Sequence, residues 1–114
     1  MLKNIDSVVF FVADIDAAAH WYADIFSATV QYENPKYAYI KTASVTVGFH
    51  PIDAKSSGGV GGTTVYWRVD DVSAVMDALI ERGAQRQRGP YVTDLDETTA
   101  IVIDPFGCTL GLIS

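Results

Sequence analysis

The sequence Ile-Asp-Ser-Val-Val-Phe-Phe-Val occupies residues 5–12 and runs almost directly into Asp14-Ile15-Asp16 at the start of a helical stretch. A similar segment begins about 57 residues further on. It is Thr-Thr-Val-Tyr-Trp-Arg-Val at residues 63–69, followed by Asp70-Asp71-Val72. Each segment is a short run of apolar, β-branched and aromatic residues, which is typical of a buried strand. Since the acidic residues that follow can cap a helix, the chain is predicted to contain one strand–helix unit twice.

Three further β-rich segments follow each of the two helical stretches. Turn-forming residues separate them, as at Asn34-Pro35-Lys36, and this pattern indicates antiparallel strands with short connections. A second turn, Asp104-Pro105-Phe106-Gly107, combines a proline and a glycine that each supply a required backbone angle. Gly83 is placed to end the second helix in a left-handed conformation. The predicted strands are residues 29–33, 37–41 and 45–50 in the first half and residues 85–93, 98–103 and 108–113 in the second.

The expected fold class is therefore α+β, with two consecutive βαβββ units in one domain. The units are residues 1–51 and 63–114, and a Gly- and Ser-rich connector at 52–62 separates them. A domain made from two copies of one unit usually has a cleft between them, and ligand sites favour such concave seams. The apolar helix stripes expected to be buried are Ala18, Trp21, Tyr22, Ile25 and Phe26 in the first helix and Val72, Val75, Met76 and Leu79 in the second.

Charge and cysteine content limit the classes of partner. The 8 basic and 14 acidic residues give a net charge of −6, which argues against nucleic acid as a partner. The same charge favours a cationic small molecule or simply maintains solubility. No apolar run approaches the ~20 residues of a membrane span, and residues 1–4 lack the features of a signal peptide. The single cysteine, Cys108, excludes an intramolecular disulfide and fits a reducing cytoplasm.

Several motifs, taken in order, resemble those of the vicinal oxygen chelate superfamily, which includes lactoylglutathione lyases, bleomycin-binding resistance proteins, fosfomycin-modifying enzymes and extradiol dioxygenases. They are Val-Val-Phe-Phe-Val-Ala-Asp at 8–14 with Trp21-Tyr22 on the next helix, Tyr-Trp-Arg-Val-Asp-Asp at 66–71, and the closing residues 104–113. The likeness covers the whole chain. It implies a curved, barrel-like mixed sheet with the helices on the outside. It also implies a homodimer, which would cover the open apolar faces of the sheet.

The resemblance also indicates where a metal ion would bind. In metal-using members, the first and last strands of each unit supply His or Glu ligands to a divalent ion. The matching first-strand positions hold Ser7 and Thr64, and the matching last-strand positions hold Thr46 (or Val47, in an alternative register) and Gly111. Such ions need carboxylate or imidazole donors, for which hydroxyl groups are poor substitutes. We therefore predict neither a metal site nor a cofactor.

Side chains alternate across a strand, so one face of each predicted strand lines the cleft. That face combines small residues at the former ligand positions with a few aromatic residues, one Arg and one His. Such a mixture suits a mainly apolar or aromatic organic ligand held by a few polar anchors. The predicted cleft residues are Ser7, Val9, Phe11, Thr46, Gly48, His50, Thr64, Tyr66, Arg68, Thr109 and Gly111.

Several of these residues have alternative explanations. Arg68 anchors an anionic ligand, pairs with a nearby acid such as Asp70, or spans a dimer contact. His50 precedes a proline at a strand end, so it is either an exposed loop-edge residue or a ligand-binding or acid–base group that titrates near physiological pH. Phe11 and Tyr66 either form the wall of the cleft or stack on a ligand ring.

The sequence thus favours a metal-independent protein, similar to the bleomycin-resistance type, that sequesters or carries a small organic ligand. The alternative is a glyoxalase-like lyase or isomerase, or a dioxygenase, with a non-standard metal site built from His50 and acidic residues of a partner chain. A third hypothesis is an interaction module whose cleft holds no specific ligand. No catalytic residue can be assigned, and Cys108 has no evident activating partner.

Overall fold

The computed structural model describes the whole chain, residues 1–114, as two compact units. Unit 1 spans Met1–Gly58 and unit 2 spans Gly59–Ser114, so the boundary lies within the predicted connector. Both units have the βαβββ order. Unit 1 contains β1 (Ser7–Val12), α1 (Ile15–Phe26), β2 (Gln31–Asn34), β3 (Tyr37–Lys41) and β4 (Thr46–Pro51). Unit 2 contains β5 (Tyr66–Arg68), α2 (Val72–Glu81), β6 (Gln85–Val92), β7 (Thr98–Ile103) and β8 (Thr109–Ile113).

Each unit forms its own four-stranded mixed sheet. The strand order is β1-β4-β3-β2 in unit 1 and β5-β8-β7-β6 in unit 2. In both sheets the first strand lies parallel to the last strand of its unit, and the other neighbours are antiparallel. The predicted α+β class and the duplicated unit are confirmed. The eight strands form two four-stranded mixed sheets, one in each unit, and not one continuous sheet.

Both helices begin directly after an aspartate that caps them, and for α1 this is Asp14, one of the two candidates (Asp14 or Asp16) that the sequence offers. The carboxylate of Asp14 accepts a hydrogen bond from the Ala17 N–H at 3.0 Å, and Asp71 accepts one from the Ala74 N–H at 3.0 Å. Gly83 follows α2 with a φ of 102°, the left-handed conformation predicted for it. The structure contains no helix whose length and hydropathy would allow it to cross a lipid bilayer.

The core of unit 1 is an aromatic stack between α1 and the sheet. The ring centroid of Phe10 lies 5.0 Å from that of Tyr22 and 6.0 Å from that of Phe49. α1 packs on β3 and β4 mainly through alanines, which allow a close approach. The buried face of α1 consists of Ala18, Ala19, Tyr22 and Ala23. The predicted stripe was therefore correct at Ala18 and Tyr22 but wrong at Trp21, Ile25 and Phe26, which lie half-buried at its flank.

The core of unit 2 lies between α2 and strands β6 to β8. The predicted stripe of α2 is correct at three of its positions, whereas Val75 is half-buried because it sits at the side of the packed face. The buried residues on the two sides of this interface are Val72, Met76 and Leu79 from the helix and Ala100, Val102, Leu110 and Leu112 from the sheet.

The segment between β4 and β5, residues 52–65, contains no helix or strand. Its first part is ordered by the carboxylate of Asp53, which accepts hydrogen bonds from the N–H groups of Lys55 and Ser56 at 2.9 and 2.8 Å. The strand predicted from residue 63 begins only at Tyr66. The Val65 carbonyl nevertheless accepts a hydrogen bond from the Gly111 N–H at 2.9 Å, which extends the pairing with β8 by one residue.

Candidate functional site

The open face of each sheet, defined here as the side opposite its helix, carries the predicted cleft residues. In unit 1, Ser7 pairs with Thr46, Val9 with Gly48, and Phe11 with His50 across β1 and β4. Their neighbours Val8, Phe10 and Val12 lie on the other face, where Phe10 and Val12 are buried and Val8 is half-buried. The structure therefore brings all six predicted residues of unit 1 together on one face. These six are Ser7, Val9, Phe11, Thr46, Gly48 and His50.

Four rings form a group on this face, which we call the aromatic cluster: Phe11, Tyr37, Tyr39 and His50. The centroid of the His50 ring lies 5.3 Å from that of Phe11 and 6.4 Å from that of Tyr37. Both pairs are tilted or edge-on, with interplanar angles of 59° and 66°. Tyr39 continues the cluster, with its centroid 6.4 Å from that of Tyr37. All four side chains are half-buried, so each retains ring surface that a ligand can contact.

Tyr37 occupies the space left by a glycine. A Cβ atom on Gly48 would overlap the hydroxyl of Tyr37 and would lie 2.6 Å from its Cζ. The ring of Tyr37 thus lies across β4 at the point where a side chain would otherwise stand. The small residue predicted to leave room in the cleft instead accommodates an aromatic ring from the neighbouring strand, an arrangement that stabilises glycine within sheets.

His50 is held in a defined tautomer. Its Nδ1 lies 2.7 Å from the carbonyl oxygen of Pro51. A carbonyl oxygen can only accept a hydrogen bond, so Nδ1 carries the hydrogen, and in the neutral ring Nε2 is an acceptor. Nε2 makes no hydrogen bond within the chain and is not fully buried. His50 is the penultimate residue of β4 and is half-buried, so it is not fully exposed.

The electrostatic surroundings of the aromatic cluster are acidic. Burial raises the pKa of Tyr37 above its ordinary value, and the charges of Glu33 and Asp6 raise it further. The cation on this face, Lys41, pairs with Thr46, four residues before His50 along β4. At 3.3 Å per strand residue, Lys41 attaches about 13 Å from His50. The surroundings of Tyr37 therefore disfavour an anion.

The open face of unit 2 is arranged in a similar way but carries fewer rings. Tyr66 pairs with Gly111, and a Cβ atom on Gly111 would lie 2.7 Å from the Cδ1 atom of Tyr66. At the N-terminal side of this pair, the hydroxyl of Thr64 donates to that of Thr109 at 3.2 Å. These four residues and Arg68 are the predicted cleft residues of unit 2, and they lie together on its open face.

Arg68 forms an ion pair, although not with the residue expected. Its Nη2 lies 3.4 Å from Oε2 of Glu97, and the two side chains are 68% and 37% exposed. The sequence suggested Asp70 as the partner, whereas Glu97 lies in the connection between β6 and β7. An exposed pair at this distance contributes little to stability, typically less than about 1 kcal/mol.

The residues present do not fit a divalent metal ion. The two units can be aligned by matching Ser7 with Thr64, which also matches Val9 with Tyr66. Val9 pairs with Gly48 and Tyr66 pairs with Gly111, so Gly48 is the counterpart of Gly111. Thr46 is accordingly the counterpart of Thr109, and Val47, the alternative position, faces the core and is fully buried. None of these residues supplies a carboxylate or an imidazole. No group of three or more His, Cys, Asp and Glu residues is placed to hold a metal ion.

Two members of the aromatic cluster, Tyr37 and Tyr39, were missed by sequence reasoning. The prediction considered only the first and last strands of each unit, where the resemblance places ligands. The signal was nevertheless present, because Tyr37 and Tyr39 alternate with the apolar Ala38 and Ile40 along β3. Alternation of this kind places the tyrosines on the face opposite the core.

Two other features were considered as sites. A wide-open groove of about 240 Å³ lies at one end of unit 1, lined by polar and exposed residues that include Asp6, Ser44 and Lys41. It has no aromatic wall and no buried polar group. Cys108 is buried, and burial raises the pKa of its thiol, so the reactive thiolate is disfavoured.

These features define the duplicated βαβββ class of fold, and comparison with known proteins assigns the family. The sequence profile of the Glyoxalase/Bleomycin resistance protein/Dioxygenase superfamily matches residues 4–112. The chain belongs to this superfamily. Among curated proteins no sequence match was found.

Solved structures show the same fold over nearly the whole chain. One is a glyoxalase/bleomycin resistance protein/dioxygenase family enzyme from Burkholderia phytofirmans PsJN, with 20% identity, a TM-score of 0.82, and coverage of 97% of this chain and 98% of that chain. A glyoxalase-related enzyme from Fulvimarina pelagi has 17% identity and a TM-score of 0.79, covering 98% of this chain and 88% of that one. At these identities the likeness establishes a shared fold and not a shared ligand.

Proposed function

We propose that this protein is a metal-independent binding protein for small aromatic molecules, with the open face of unit 1 as its binding surface. The observation that carries the proposal is the aromatic cluster, in which four half-buried rings surround one strand position without a side chain. Aromatic side chains with free ring surface and a few polar atoms are the usual components of a site for a planar organic ligand.

The side chains at the metal-ligand positions of the superfamily support the proposal that this protein works without a metal ion. The positions that hold metal ligands in metal-using members of the superfamily are occupied here by hydroxyl-bearing residues and glycine. Metal analysis of the purified protein and thermal unfolding with added Zn²⁺, Mn²⁺, Ni²⁺ or Fe²⁺ test this directly, because a tightly bound ion raises the melting temperature. Stoichiometric metal together with lyase or dioxygenase turnover would overturn the proposal in favour of an enzyme.

The binding surface can be tested with a matched pair of tyrosines from the same β-hairpin. Tyr37 lies in the aromatic cluster, whereas Tyr32 on β2 is 50% exposed and donates a hydrogen bond to Asp16 on α1, away from the open face. Titration with 2-methoxynaphthalene, followed by ¹H–¹⁵N NMR, should perturb residues of β1, β3 and β4. Tyr37→Leu should weaken binding by about three- to tenfold, the contribution of one ring contact.

Tyr32→Leu is the control and should leave the affinity for 2-methoxynaphthalene unchanged. Equal affinities for both variants, or perturbations confined to residues outside the open face of unit 1, would contradict the assignment of this surface. If no planar aromatic compound shows saturable binding, the proposed function itself is wrong.

We further propose that the protein is a cytoplasmic homodimer. The open faces expose apolar and aromatic surface, including Val9 at 36% and Tyr66 at 43% exposure, and self-association is a common way to cover such surface. Sedimentation equilibrium over a range of concentrations measures the oligomeric state, and a monomer at every concentration would contradict this part of the proposal.

A further inference from the structure

We propose that the ligand of the aromatic cluster is a neutral aromatic compound bearing a ring O–H or N–H group, such as a phenol or an indole, which donates a hydrogen bond to Nε2 of His50. This inference rests on the proposed function, since it concerns the same surface. The inference specifies the group on the ligand, an O–H or N–H donor, that the protein recognises.

The first argument is the fixed direction of the His50 ring. The Pro51 carbonyl accepts the hydrogen of Nδ1 at 2.7 Å, so the neutral ring presents an acceptor at Nε2 and no donor. This acceptor makes no hydrogen bond within the chain and is not fully buried. A ligand that supplies a donor here makes a hydrogen bond, whereas one that covers Nε2 with an apolar group removes it from water without replacement.

The second argument is the position of Nε2 among rings. His50 lies between Phe11 and Tyr37, with centroid separations of 5.3 and 6.4 Å. A planar ligand that contacts these rings therefore brings its edge near the imidazole. Hydrogen-bond donors on the edge of an aromatic ring, as in phenols and indoles, match an acceptor placed in this way.

The third argument concerns charge. The negative charges of Glu33 and Asp6 raise the pKa of Tyr37, which shows that another negative charge is disfavoured at this position. Lys41 attaches about 13 Å from His50 along the strands, too far to form an ion pair with a group held at Nε2. The surface therefore favours the neutral phenol over a phenolate or a carboxylate.

The test uses ligands that differ only in the donor. Calorimetric titration should show that 2-naphthol binds about two- to tenfold more tightly than 2-methoxynaphthalene, the effect of one net hydrogen bond. Indole should exceed 1-methylindole by a similar factor. ¹⁵N NMR of the His50 ring should show Nδ1 protonated in the free protein and a shift of the Nε2 resonance when 2-naphthol is added but not when its methyl ether is added.

The variant His50→Phe keeps a ring and removes the acceptor, so it should bind both members of each pair equally. A preference that persists in this variant would reflect a clash with the added methyl group and would overturn the inference. His50→Gln, which can place an amide oxygen near the former Nε2, should retain part of the preference and serves if the Phe variant does not fold. His20→Phe, on the exposed side of α1, is the control and should keep the full preference.

The outcomes separate this inference from the proposed function. If both naphthalenes bind the open face of wild-type protein with equal affinity, the proposed function stands and the role of His50 is wrong. If neither binds, both proposals are wrong.

Discussion

At the scale of single residues, each sheet places a tyrosine ring over a glycine of its last strand. In unit 1 the pair is Tyr37 and Gly48, and in unit 2 it is Tyr66 and Gly111. Glycine in a strand lacks a side chain to pack and weakens the sheet, and an aromatic ring laid across it compensates for part of that loss. The tyrosines thus stabilise the sheet and also form the surface offered to a ligand.

Substitution of two glycines by alanine should affect stability to different extents. A Cβ on Gly48 meets the mobile end of Tyr37, which can swing outward, so Gly48→Ala should change the free energy of unfolding by less than about 1 kcal/mol. Gly89 has a φ of 76°, and its Cβ would lie 2.6 Å from the Thr99 carbonyl oxygen. Because backbone cannot move aside, Gly89→Ala should cost more than about 2 kcal/mol. Urea unfolding of both variants measures the difference, and equal losses would contradict this account.

At the scale of elements, the two helices are started by the same device. Asp14 and Asp71 each accept a hydrogen bond from the N–H three residues ahead, and their carboxylates also face the positive end of the helix dipole. This shared design follows from the duplicated strand–Asp–helix segment with which each unit begins.

Removal of one cap should destabilise the protein by a predictable amount. Asp71→Ala should lower the free energy of unfolding by about 1 kcal/mol, because the Ala74 N–H loses its partner. Asp71→Ser should retain most of the stability, since a hydroxyl can accept the same bond. Asp77, exposed within α2, provides the matched control, and Asp77→Ala should have little effect. If Asp71→Ala and Asp77→Ala unfold at the same urea concentration, the cap does not contribute as described.

The elements show where sequence reasoning succeeds and where it fails. Strand alternation and aspartate caps are local, and they predicted the order of elements and the open-face residues of β1 and β4 correctly. The buried face of α1 was misjudged because large residues were assumed to lie inside, whereas alanines such as Ala19 and Ala23 allow closer packing. The aromatic cluster depends on contacts between strands, so Tyr37 could be placed over Gly48 only once the register of β3 and β4 was known.

At the scale of the whole molecule, the net charge of −6 acts on any ligand that approaches the surface. Such a field raises the local concentration of cations and lowers that of anions, and it is screened by salt. The effect should be strongest near the aromatic cluster, where Glu33 and Asp6 act on Tyr37.

Charge discrimination should therefore depend on ionic strength. 2-Naphthoate should bind several-fold more weakly at ~20 mM salt than its methyl ester, which carries no charge and, like the carboxylate, has no hydrogen-bond donor. The ratio of affinities should shrink toward one at ~1 M salt, where the screening length falls to about 3 Å. Calorimetric titration at both ionic strengths measures this ratio. Tighter binding of the carboxylate at low salt would show that a basic group, and not the acidic surroundings, controls recognition.

The ring of Tyr66 over Gly111 restricts how a catalytic metal site could be engineered into unit 2. Introducing Glu at position 111 alone would drive its Cβ into that ring, at 2.7 Å from Cδ1. A successful redesign must shorten residue 66 in the same step, and only then add a histidine at Thr64. Conversion of this metal-free surface into a metal site would thus require simultaneous changes at residue 66 on β5 and residue 111 on β8. Neither substitution alone would produce a metal site.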